Sequence, residues 1–326
     1  MEGSIKTVGV LTSGGDAPGM NACIRAVVRS ALNRGCRVMG IRKGYAGLLK
    51  GDVMEMNATS VANIIHRGGT ILYTARCPEF LEVEYQDRAA EMCRIFGIDG
   101  LVVIGGDGSF RGAQKLSQRG ISVVGVPGTI DLDIVCSDYT IGFDTAVNVV
   151  VEAVSRLRDT SASHERCSVV EVMGRNCGEI ALWSGIATGA DAIMIPEDAE
   201  SQSFDHLVRV IMENRARGKN HNIIIVAEGV GHAEELAKRI HEVTGIESRA
   251  TILGHIQRGG RPTALDIKHA SMMGYLAVEA LYRGETNRVI SVKDGKYVDQ
   301  DIDEALAMTK EPSLDIWNAN LHISTY

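Results

Sequence analysis

Residues 121–133 read Ile-Ser-Val-Val-Gly-Val-Pro-Gly-Thr-Ile-Asp-Leu-Asp, an apolar run followed at once by two carboxylates. The run is typical of a strand buried on both faces in an α/β sheet. Ligands of such sheets bind beyond the carboxyl ends of the strands, which is where Asp131 and Asp133 would lie. If the segment stays extended, both side chains point to the same side, with Asp131 as a base and Asp133 near a cation. The alternative is an Asx-type turn with both acids in water.

Two further segments repeat this design. Residues 8–21 contain an apolar strand, a glycine-rich turn and the start of a helix predicted over about 20–34, and residues 101–109 contain a strand, two glycines and then Asp107 beside Ser109. Small residues let backbone N–H groups approach an anion, and the N-terminus of a following helix adds a favourable dipole. The second segment therefore predicts a phosphate and Mg²⁺ site, since one or two carboxylates and substrate phosphates usually hold Mg²⁺ beside nucleotides.

The glycine-rich turns do not match the common nucleotide motifs. The chain has no GxxxxGK[ST] loop, and neither turn has the GxGxxG pattern. One such turn would be weak evidence, because tight turns use glycine anyway. Three turns after three strands are hard to explain without a phosphate ligand.

Apolar runs alternate with amphipathic stretches along the chain. This alternation predicts an α/β fold with parallel sheets covered by helices on both faces. No Pro/Ser-rich linker marks a domain boundary. Besides the segments above, strands are predicted over 38–41, 168–172, 192–195 and 223–227.

Composition favours a soluble cytoplasmic enzyme. A chain of 326 residues can form two domains, and the net charge of −7 argues against a general nucleic-acid binder. No apolar run reaches the ~18 residues of a membrane span. The seven cysteines have no CxxC spacing and are expected to be reduced thiols, with Cys23, Cys93 and Cys167 as small core residues.

Five motifs, in order along nearly the whole chain, resemble those of the bacterial ATP-dependent 6-phosphofructokinases. The resemblance implies two interleaved α/β lobes with the active site between them, in a homotetramer. It implies a nucleotide lobe of 1–141 plus 257–307 and a fructose 6-phosphate lobe of 142–256 plus 308–326, with crossings in a helix over 145–158 and near His255. The motifs are Leu-Thr-Ser-Gly-Gly-Asp-Ala-Pro-Gly-Met-Asn at 11–21, Gly-Gly-Asp-Gly-Ser at 105–109, Pro-Gly-Thr-Ile-Asp at 127–131, Met-Gly-Arg at 173–175 and Leu-Gly-His-Ile-Gln-Arg-Gly-Gly at 253–260.

Phosphoryl transfer to a sugar needs a base, Mg²⁺ and positive charge on the migrating oxygens. Asp131 is the predicted base, and Asp107 and Asp133 are the predicted metal ligands. Tyr45 alone is typical of a core aromatic. The resemblance implies that Arg166 and Arg249 reach the sugar phosphate from a neighbouring subunit. The resemblance implies a catalytic set of Asp131, Thr129, Arg175, Arg76 and Gly15, an ATP set of Gly15, Tyr45, Arg76, Cys77, Gly106, Asp107, Gly108 and Ser109, and a sugar-phosphate set of Thr129, Asp131, Arg166, Met173, Gly174, Arg175, Glu228, Arg249, His255 and Arg258.

Two departures from the family pattern stand out. Leu132 replaces an Asn between the two carboxylates, and restoring Asn is expected to raise activity or stability. The family's second site, for ADP and phosphoenolpyruvate, lacks an arginine at Ala58, and Ala62 and Asn63 replace a Ser-Asp pair, so effector control is expected to be weak or altered. Asp191 replaces Glu and should still reach the effector's Mg²⁺. The basic set retained there is Arg25, Arg29, Arg158, Gly189, Arg217, Lys219 and His221.

The predicted function is transfer of the γ-phosphoryl group of MgATP to the 1-hydroxyl of fructose 6-phosphate. Three alternatives stay open. A pyrophosphate-dependent enzyme of this fold would typically carry Asp and Lys at Gly108 and Gly128. A catalytically impaired, metabolite-sensing paralogue is suggested by Leu132, and tagatose 6-phosphate could be the acceptor.

Overall fold

The computed structural model describes residues 5–309 and 314–324. The strands are β1 (Thr7–Ser13), β2 (Arg37–Ile41), β3 (Val53–Met56), β4 (Gly100–Gly105), β5 (Ser122–Pro127), β6 (Cys167–Val172), β7 (Ala192–Met194), β8 (Asn222–Ala227), β9 (Ser248–Ile252), β10 (Arg288–Lys293) and β11 (Lys296–Asp301). The α-helices are α1 (Met20–Asn33), α2 (Gly44–Lys50), α3 (Val83–Ile95), α4 (Asp107–Ser117), α5 (Phe143–His164), α6 (Glu179–Thr188), α7 (Phe204–Ala216), α8 (Ala233–Thr244), α9 (Ala264–Tyr282), α10 (Ile302–Ala307) and α11 (Asp315–Ile323). Short 3₁₀ helices span Pro78–Leu81 and Gly254–Arg258.

The chain forms two compact units. Unit 1 comprises Met1–Thr145 and Arg258–Lys310, and unit 2 comprises Ala146–Gln257 and Glu311–Tyr326. The sequence prediction put the corresponding limits at 141, 257 and 307. Which unit takes ATP and which takes the sugar phosphate stays a prediction.

Unit 1 contains a seven-stranded sheet in the order β11-β10-β5-β4-β1-β2-β3. The five central strands are parallel, and β3 and β11 pair antiparallel at the edges. All residues of β1 and β4 are buried, as expected for strands covered on both faces. Phe110 and Leu116 of α4 pack into the core of this unit. The predicted α/β class with largely parallel sheets is confirmed.

Unit 2 contains a four-stranded parallel sheet in the order β7-β8-β6-β9. Helix α8 packs on β6 and β9, and α11 packs on α6. Trp317 of α11 donates its indole N–H to the Ile193 carbonyl oxygen of β7 at 3.1 Å. This contact ties the last helix to an edge strand of the sheet.

The predicted elements correspond closely to the observed ones. The predicted strands match β2, β4, β5, β6, β7 and β8 to within two residues at each end. The helix predicted over 20–34 is α1, and the run 145–158 lies inside the longer α5. No helix of the described residues 5–309 and 314–324 is long and apolar enough to cross a membrane.

The cysteines behave as the sequence predicts. Each of the seven is a free thiol. Cys23, Cys93 and Cys167 are fully buried. Burial raises the pKa of Cys93 and of Cys167 to about 12, so these side chains are protonated core residues rather than nucleophiles.

Candidate active site

Three loops of unit 1 meet at the carboxyl edge of its sheet. Strands β5, β4 and β1 are neighbours, and the Gly128 N–H donates to the Gly105 carbonyl oxygen at 3.0 Å. A Cβ atom on Gly105 would lie 2.5 Å from the Ser13 carbonyl oxygen, so only glycine allows this approach. The residues predicted after β4 and β5 are therefore brought together: Gly106, Asp107, Gly108, Ser109, Thr129 and Asp131.

The chain bends at Ile130 and Asp131, so the segment up to Asp133 does not stay extended. Leu132 has a φ of 55°, in the left-handed region. Asp131 is only 7% exposed, whereas Asp133 is exposed. The condition under which both carboxylates would point to the same side is therefore not met, because a left-handed residue breaks the alternation of an extended chain. The alternative with both acids in water is wrong for Asp131.

Asp107 and Asp133 nevertheless line one cavity of about 250 Å³. Arg111, one helical turn after Asp107, donates from Nε to Asp107 Oδ2 at 3.0 Å. No group of three His, Cys, Asp or Glu side chains that could hold a metal occurs in the part of the chain that the structure describes. Two carboxylates on one cavity fit Mg²⁺, which in nucleotide sites completes its coordination with phosphate oxygens and water.

Gly15 and Arg258 are in close contact, although the sequence predicts them for different substrates. A Cβ atom on Gly15 would lie 2.6 Å from Arg258 Nη1, and this nitrogen donates to the Asp16 carbonyl oxygen at 3.1 Å. The guanidinium group thus lies against the glycine-rich turn after β1. A fixed guanidinium beside backbone N–H groups is suited to phosphate oxygens.

The other predicted nucleotide residues divide between core and surface. Tyr45 is 4% exposed, donates its hydroxyl to the Ser109 carbonyl oxygen at 2.6 Å and stacks on Phe80 with ring centroids 4.2 Å apart. From the core, Tyr45 therefore supports the first turn of α4, which contains Ser109. Arg76 is exposed and Cys77 is half-buried, and burial raises the pKa of the Cys77 thiol.

The turns after β6 and β8 are joined in unit 2. The Arg175 N–H donates to Glu228 Oε1 at 2.5 Å, and the Glu228 N–H donates to the Val172 carbonyl oxygen at 2.8 Å. The Met173 N–H donates to Gln257 Oε1 at 3.4 Å. At the same edge, the exposed His255 follows β9. The predicted residues at this carboxyl edge are Met173, Gly174, Arg175, Glu228 and His255.

Arg166 and Arg249 belong to the other end of this sheet. Arg166 directly precedes β6, and Arg249 is the second residue of the parallel strand β9. Glu247 pairs with both, at 2.9 Å from Arg166 Nε and 2.7 Å from Arg249 Nη2, and bonds from Arg166 and then Arg249 lower the pKa of Glu247. A strand of this length spans roughly 17 Å. One small ligand cannot contact both ends of the sheet within one unit.

The predicted effector residues also fall into two groups. Asp191 is 4% exposed, and its carboxylate accepts from Asn214 Nδ2 at 2.8 Å, from Lys219 Nζ at 2.5 Å and from the Ile223 N–H at 2.8 Å. The Asp191 side chain is thus buried and bonded within unit 2, and its contact with an effector's metal ion stays a prediction. Unit 2 holds Arg158, Gly189, Asp191, Arg217, Lys219 and His221, and unit 1 holds Arg25, Arg29, Ala58, Ala62 and Asn63.

Two residues that contact the predicted site were not predicted from the sequence. Arg111 pairs with Asp107, and the i, i+4 spacing on a helix is the signal that could have found it. Glu247 pairs with Arg249, the second residue of β9, a strand that the sequence analysis did not predict. Both contacts are short-range in sequence.

Comparison with known proteins identifies the family. The sequence model described as phosphofructokinase matches residues 7–281. The chain belongs to the phosphofructokinase family. It is 60% identical over 314 residues to the ATP-dependent 6-phosphofructokinase of Clostridium acetobutylicum, covering 96% of this chain and 98% of that protein. A Clostridium botulinum protein of the same name is 58% identical with the same coverage.

Solved structures of the family have the same fold. Phosphofructokinase from Saccharomyces cerevisiae superposes with a TM-score of 0.88 at 37% identity, covering 98% of this chain and 48% of that chain. The Pichia pastoris enzyme in the T-state gives 0.89 at 39%, covering 98% and 37%. This chain therefore spans about half or less of either fungal chain. A pyrophosphate-dependent phosphofructokinase from Marinobacter aquaeolei, 21% identical with a TM-score of 0.86 over 98% of this chain and 92% of that chain, shows the fold alone.

Proposed function

We propose that this chain is an ATP-dependent 6-phosphofructokinase. It transfers the γ-phosphoryl group of MgATP to the 1-hydroxyl of D-fructose 6-phosphate, giving fructose 1,6-bisphosphate and ADP. The observation that carries the proposal is the buried Asp131 carboxylate beside the glycine-rich turns after β1, β4 and β5. The sugar hydroxyl must lose a proton as it attacks the phosphoryl group, and Asp131 accepts that proton. The ATP-dependent relatives, at 58% and 60% identity, support the choice of phosphoryl donor.

The phosphates of ATP bind at the glycine-rich turns. Backbone N–H groups near Gly15 and at the start of α4 donate to phosphate oxygens. Asp107 and Asp133 would hold Mg²⁺, which would neutralise negative charge on the phosphates of ATP. Their shared cavity supports this assignment. The ATP set is Gly15, Tyr45, Arg76, Cys77, Gly106, Asp107, Gly108 and Ser109, in which Tyr45 acts from the core through the Ser109 carbonyl.

Arg76 and Arg175 stabilise the charge that spreads over the migrating phosphoryl group. Preorganised cations are effective there because they need no reorientation at the moment of reaction. The bond from the Arg175 N–H to Glu228 supports such preorganisation, since it fixes the backbone that carries this guanidinium. Thr129 donates from its hydroxyl near the transferring group.

The sugar phosphate is bound by residues of two subunits. Met173, Gly174, Glu228, His255 and Arg258 act with Thr129, Asp131 and Arg175 of one subunit. Arg166 and Arg249 act from a neighbour, and their place at the opposite end of the unit 2 sheet supports this division. A site of this kind requires at least two subunits, and the family resemblance implies a homotetramer.

The enzyme acts in the cytoplasm and responds weakly to ADP and phosphoenolpyruvate. The effector site uses the basic residues Arg25, Arg29, Arg158, Arg217 and Lys219. Ala58 supplies no charge, and the Asp191 carboxylate already pairs with Lys219. Both features reduce the positive charge available to a phosphorylated effector.

A steady-state coupled assay tests the function. Fructose 6-phosphate is supplied with either ATP or pyrophosphate, each with and without ADP. We expect turnover with ATP only. Turnover with pyrophosphate but not ATP, or binding of both substrates without transfer, would refute the proposal. Tagatose 6-phosphate as a second acceptor measures the selectivity for the sugar.

A further inference from the structure

Residues 57–77 form a long irregular segment between β3 and the 3₁₀ helix Pro78–Leu81. The proposed function assigns two of its residues, Arg76 and Cys77, to the nucleotide. A segment without helix or strand has no regular partners for its backbone N–H and C=O groups. Its shape therefore depends on the bonds that other residues make to it.

Asn21 makes three of these bonds. It is the second residue of α1 and is 1% exposed. Its Nδ2 donates to the carbonyl oxygens of Arg67 and Gly68, each at 3.1 Å, and its Oδ1 accepts from the Ile71 N–H at 2.8 Å. Both amide hydrogens and the amide oxygen are used, so no other side chain of this length can make all three bonds.

Two hydroxyl groups attach the same segment to β1 and the turn that follows it. Thr12 Oγ1 donates to the Tyr73 carbonyl oxygen at 2.9 Å, and Thr74 Oγ1 donates to the Gly14 carbonyl oxygen at 2.6 Å. Bonds from Asn21, Thr12 and Thr74 thus hold the segment just before Arg76. The backbone that precedes Arg76 is fixed relative to the glycine-rich turn.

We propose that Asn21 is a positioning residue for the nucleotide. It sets the backbone of residues 67–71 and, through the continuous chain to Arg76, the place of that guanidinium relative to Gly15. This inference rests on the proposed function, which assigns Arg76 and Gly15 to ATP. Asn21 itself touches no substrate.

Three variants test the proposal in the full-length enzyme. Asn21→Leu removes all three bonds at similar volume. Asn21→Asp keeps an oxygen for the Ile71 N–H but replaces both donors, and it serves if the leucine variant fails to fold. Asn320→Leu is the matched control, because Asn320 is equally buried and its amide donates to the Ala190 carbonyl oxygen at 3.2 Å in unit 2.

We expect kcat/KM for MgATP to fall on the order of 100-fold in Asn21→Leu, as for a displacement of about 1 Å at a reacting group. The KM for fructose 6-phosphate should change by no more than about twofold, because that substrate loses no contact. Asn21→Asp should be affected in the same direction. Asn320→Leu should lower the unfolding temperature while both KM values are unchanged.

Two results would overturn the proposal. One is a lower unfolding temperature in the Asn21 variants with unchanged kinetics for MgATP, and the other is an increase in KM that is equally large for MgATP and for fructose 6-phosphate. Calorimetric titration with MgATP alone separates this inference from the proposed function. If the wild-type protein binds MgATP but transfers nothing, the function fails while weaker binding in Asn21→Leu still supports the positioning role. If the wild-type protein does not bind MgATP, both fail.

Discussion

Asp131 is buried, and a hydrogen bond from its backbone N–H fixes its conformation. The residue is 7% exposed, and its N–H donates to Thr129 Oγ1 at 3.2 Å. Thr129 therefore holds in place the backbone that carries the Asp131 side chain. A base in such surroundings can keep one orientation towards an incoming hydroxyl.

Asp131→Asn should lower kcat on the order of 10²- to 10⁴-fold, the usual contribution of a positioned base. The KM values should stay close to those of the wild type, because the amide has the same shape. Asp133→Asn is a useful comparison, because that carboxylate is exposed. Its replacement should change how activity depends on the Mg²⁺ concentration. A loss of tenfold or less in kcat for Asp131→Asn would remove Asp131 from the role of base.

Leu132 shows why the geometry of this turn was missed. Any residue other than glycine, Asn or Asp pays a cost in the left-handed region, so an apolar residue there gives no sequence signal of a turn. The Asn of the family pattern would have indicated one, since Asn tolerates this conformation. Spacing correctly predicted which residues follow the strands but not which way their side chains point.

The structure refines the expectation for Leu132→Asn. Leucine in a left-handed conformation costs about 1–2 kcal/mol, but the side chain is 6% exposed and its burial contributes about 1.5–3 kcal/mol. We therefore expect Leu132→Asn to leave stability equal or slightly reduced. Leu132→Ala loses the burial and keeps the backbone cost, so Leu132→Asn should unfold at the higher temperature. The reverse order would show that φ at this position costs nothing.

At the scale of elements, helix α9 carries two buried polar side chains, Asp266 and His269. Asp266 accepts from the Tyr139 hydroxyl at 2.6 Å and from the Gly142 and Thr145 N–H groups at 2.6 and 2.8 Å. These bonds hold the start of α5. On the next turn of α9, the His269 ring packs against Tyr139 with ring centroids 4.2 Å apart and an angle of 31° between the ring planes.

The protonation of His269 should couple stability to pH. Burial and then Lys268 lower its pKa, so below about pH 6.5 the unfolded chain takes up the proton first. Stability falls as pH decreases through that value. In His269→Gln, urea unfolding should show lower stability at pH 7.5 but a smaller decrease on going to pH 5.5. Parallel curves for both proteins would contradict this. Part of the slope should remain, because burial also lowers the pKa of His221.

The elements themselves were the most predictable part of the protein. Runs such as 101–104 and 223–227 are apolar throughout, as strands covered on both faces require. Irregular connections were less predictable, because their shape depends on distant side chains such as Asn21. The buried pair of Asp191 and Lys219 was missed for the same reason, since the two residues are far apart in sequence and meet only in the folded unit.

For the whole molecule, composition could not locate the two units, because the chain has no linker with a distinct composition. The predicted lobe boundaries came from the family resemblance instead. In the topology of that family, the chain leaves one lobe and later returns to it. In the structure, the chain leaves unit 1 after Thr145 and returns to it at Arg258. Long-range order of this kind has no local sequence signal.

Control by effectors is also a property of the whole molecule, because a ligand alters activity only if it binds two quaternary states unequally. One charged hydrogen bond contributes roughly 1.5–3 kcal/mol, so we expect the absence of an arginine at Ala58 to lower the affinity for the proposed effectors about 10- to 100-fold.

Ala58→Arg should therefore strengthen the response to ADP and phosphoenolpyruvate. Ala58 is exposed in a turn held by Asn57 Oδ1, which accepts from the N–H groups of Thr59 and Ser60 at 2.9 and 3.0 Å, so a long side chain can be accommodated. Ala58→Gln adds bulk without charge and should leave the response unchanged. The measurement is the ADP concentration for half-maximal activation at low fructose 6-phosphate. Strong activation of the unmodified protein by sub-millimolar ADP would show that other residues replace the missing arginine.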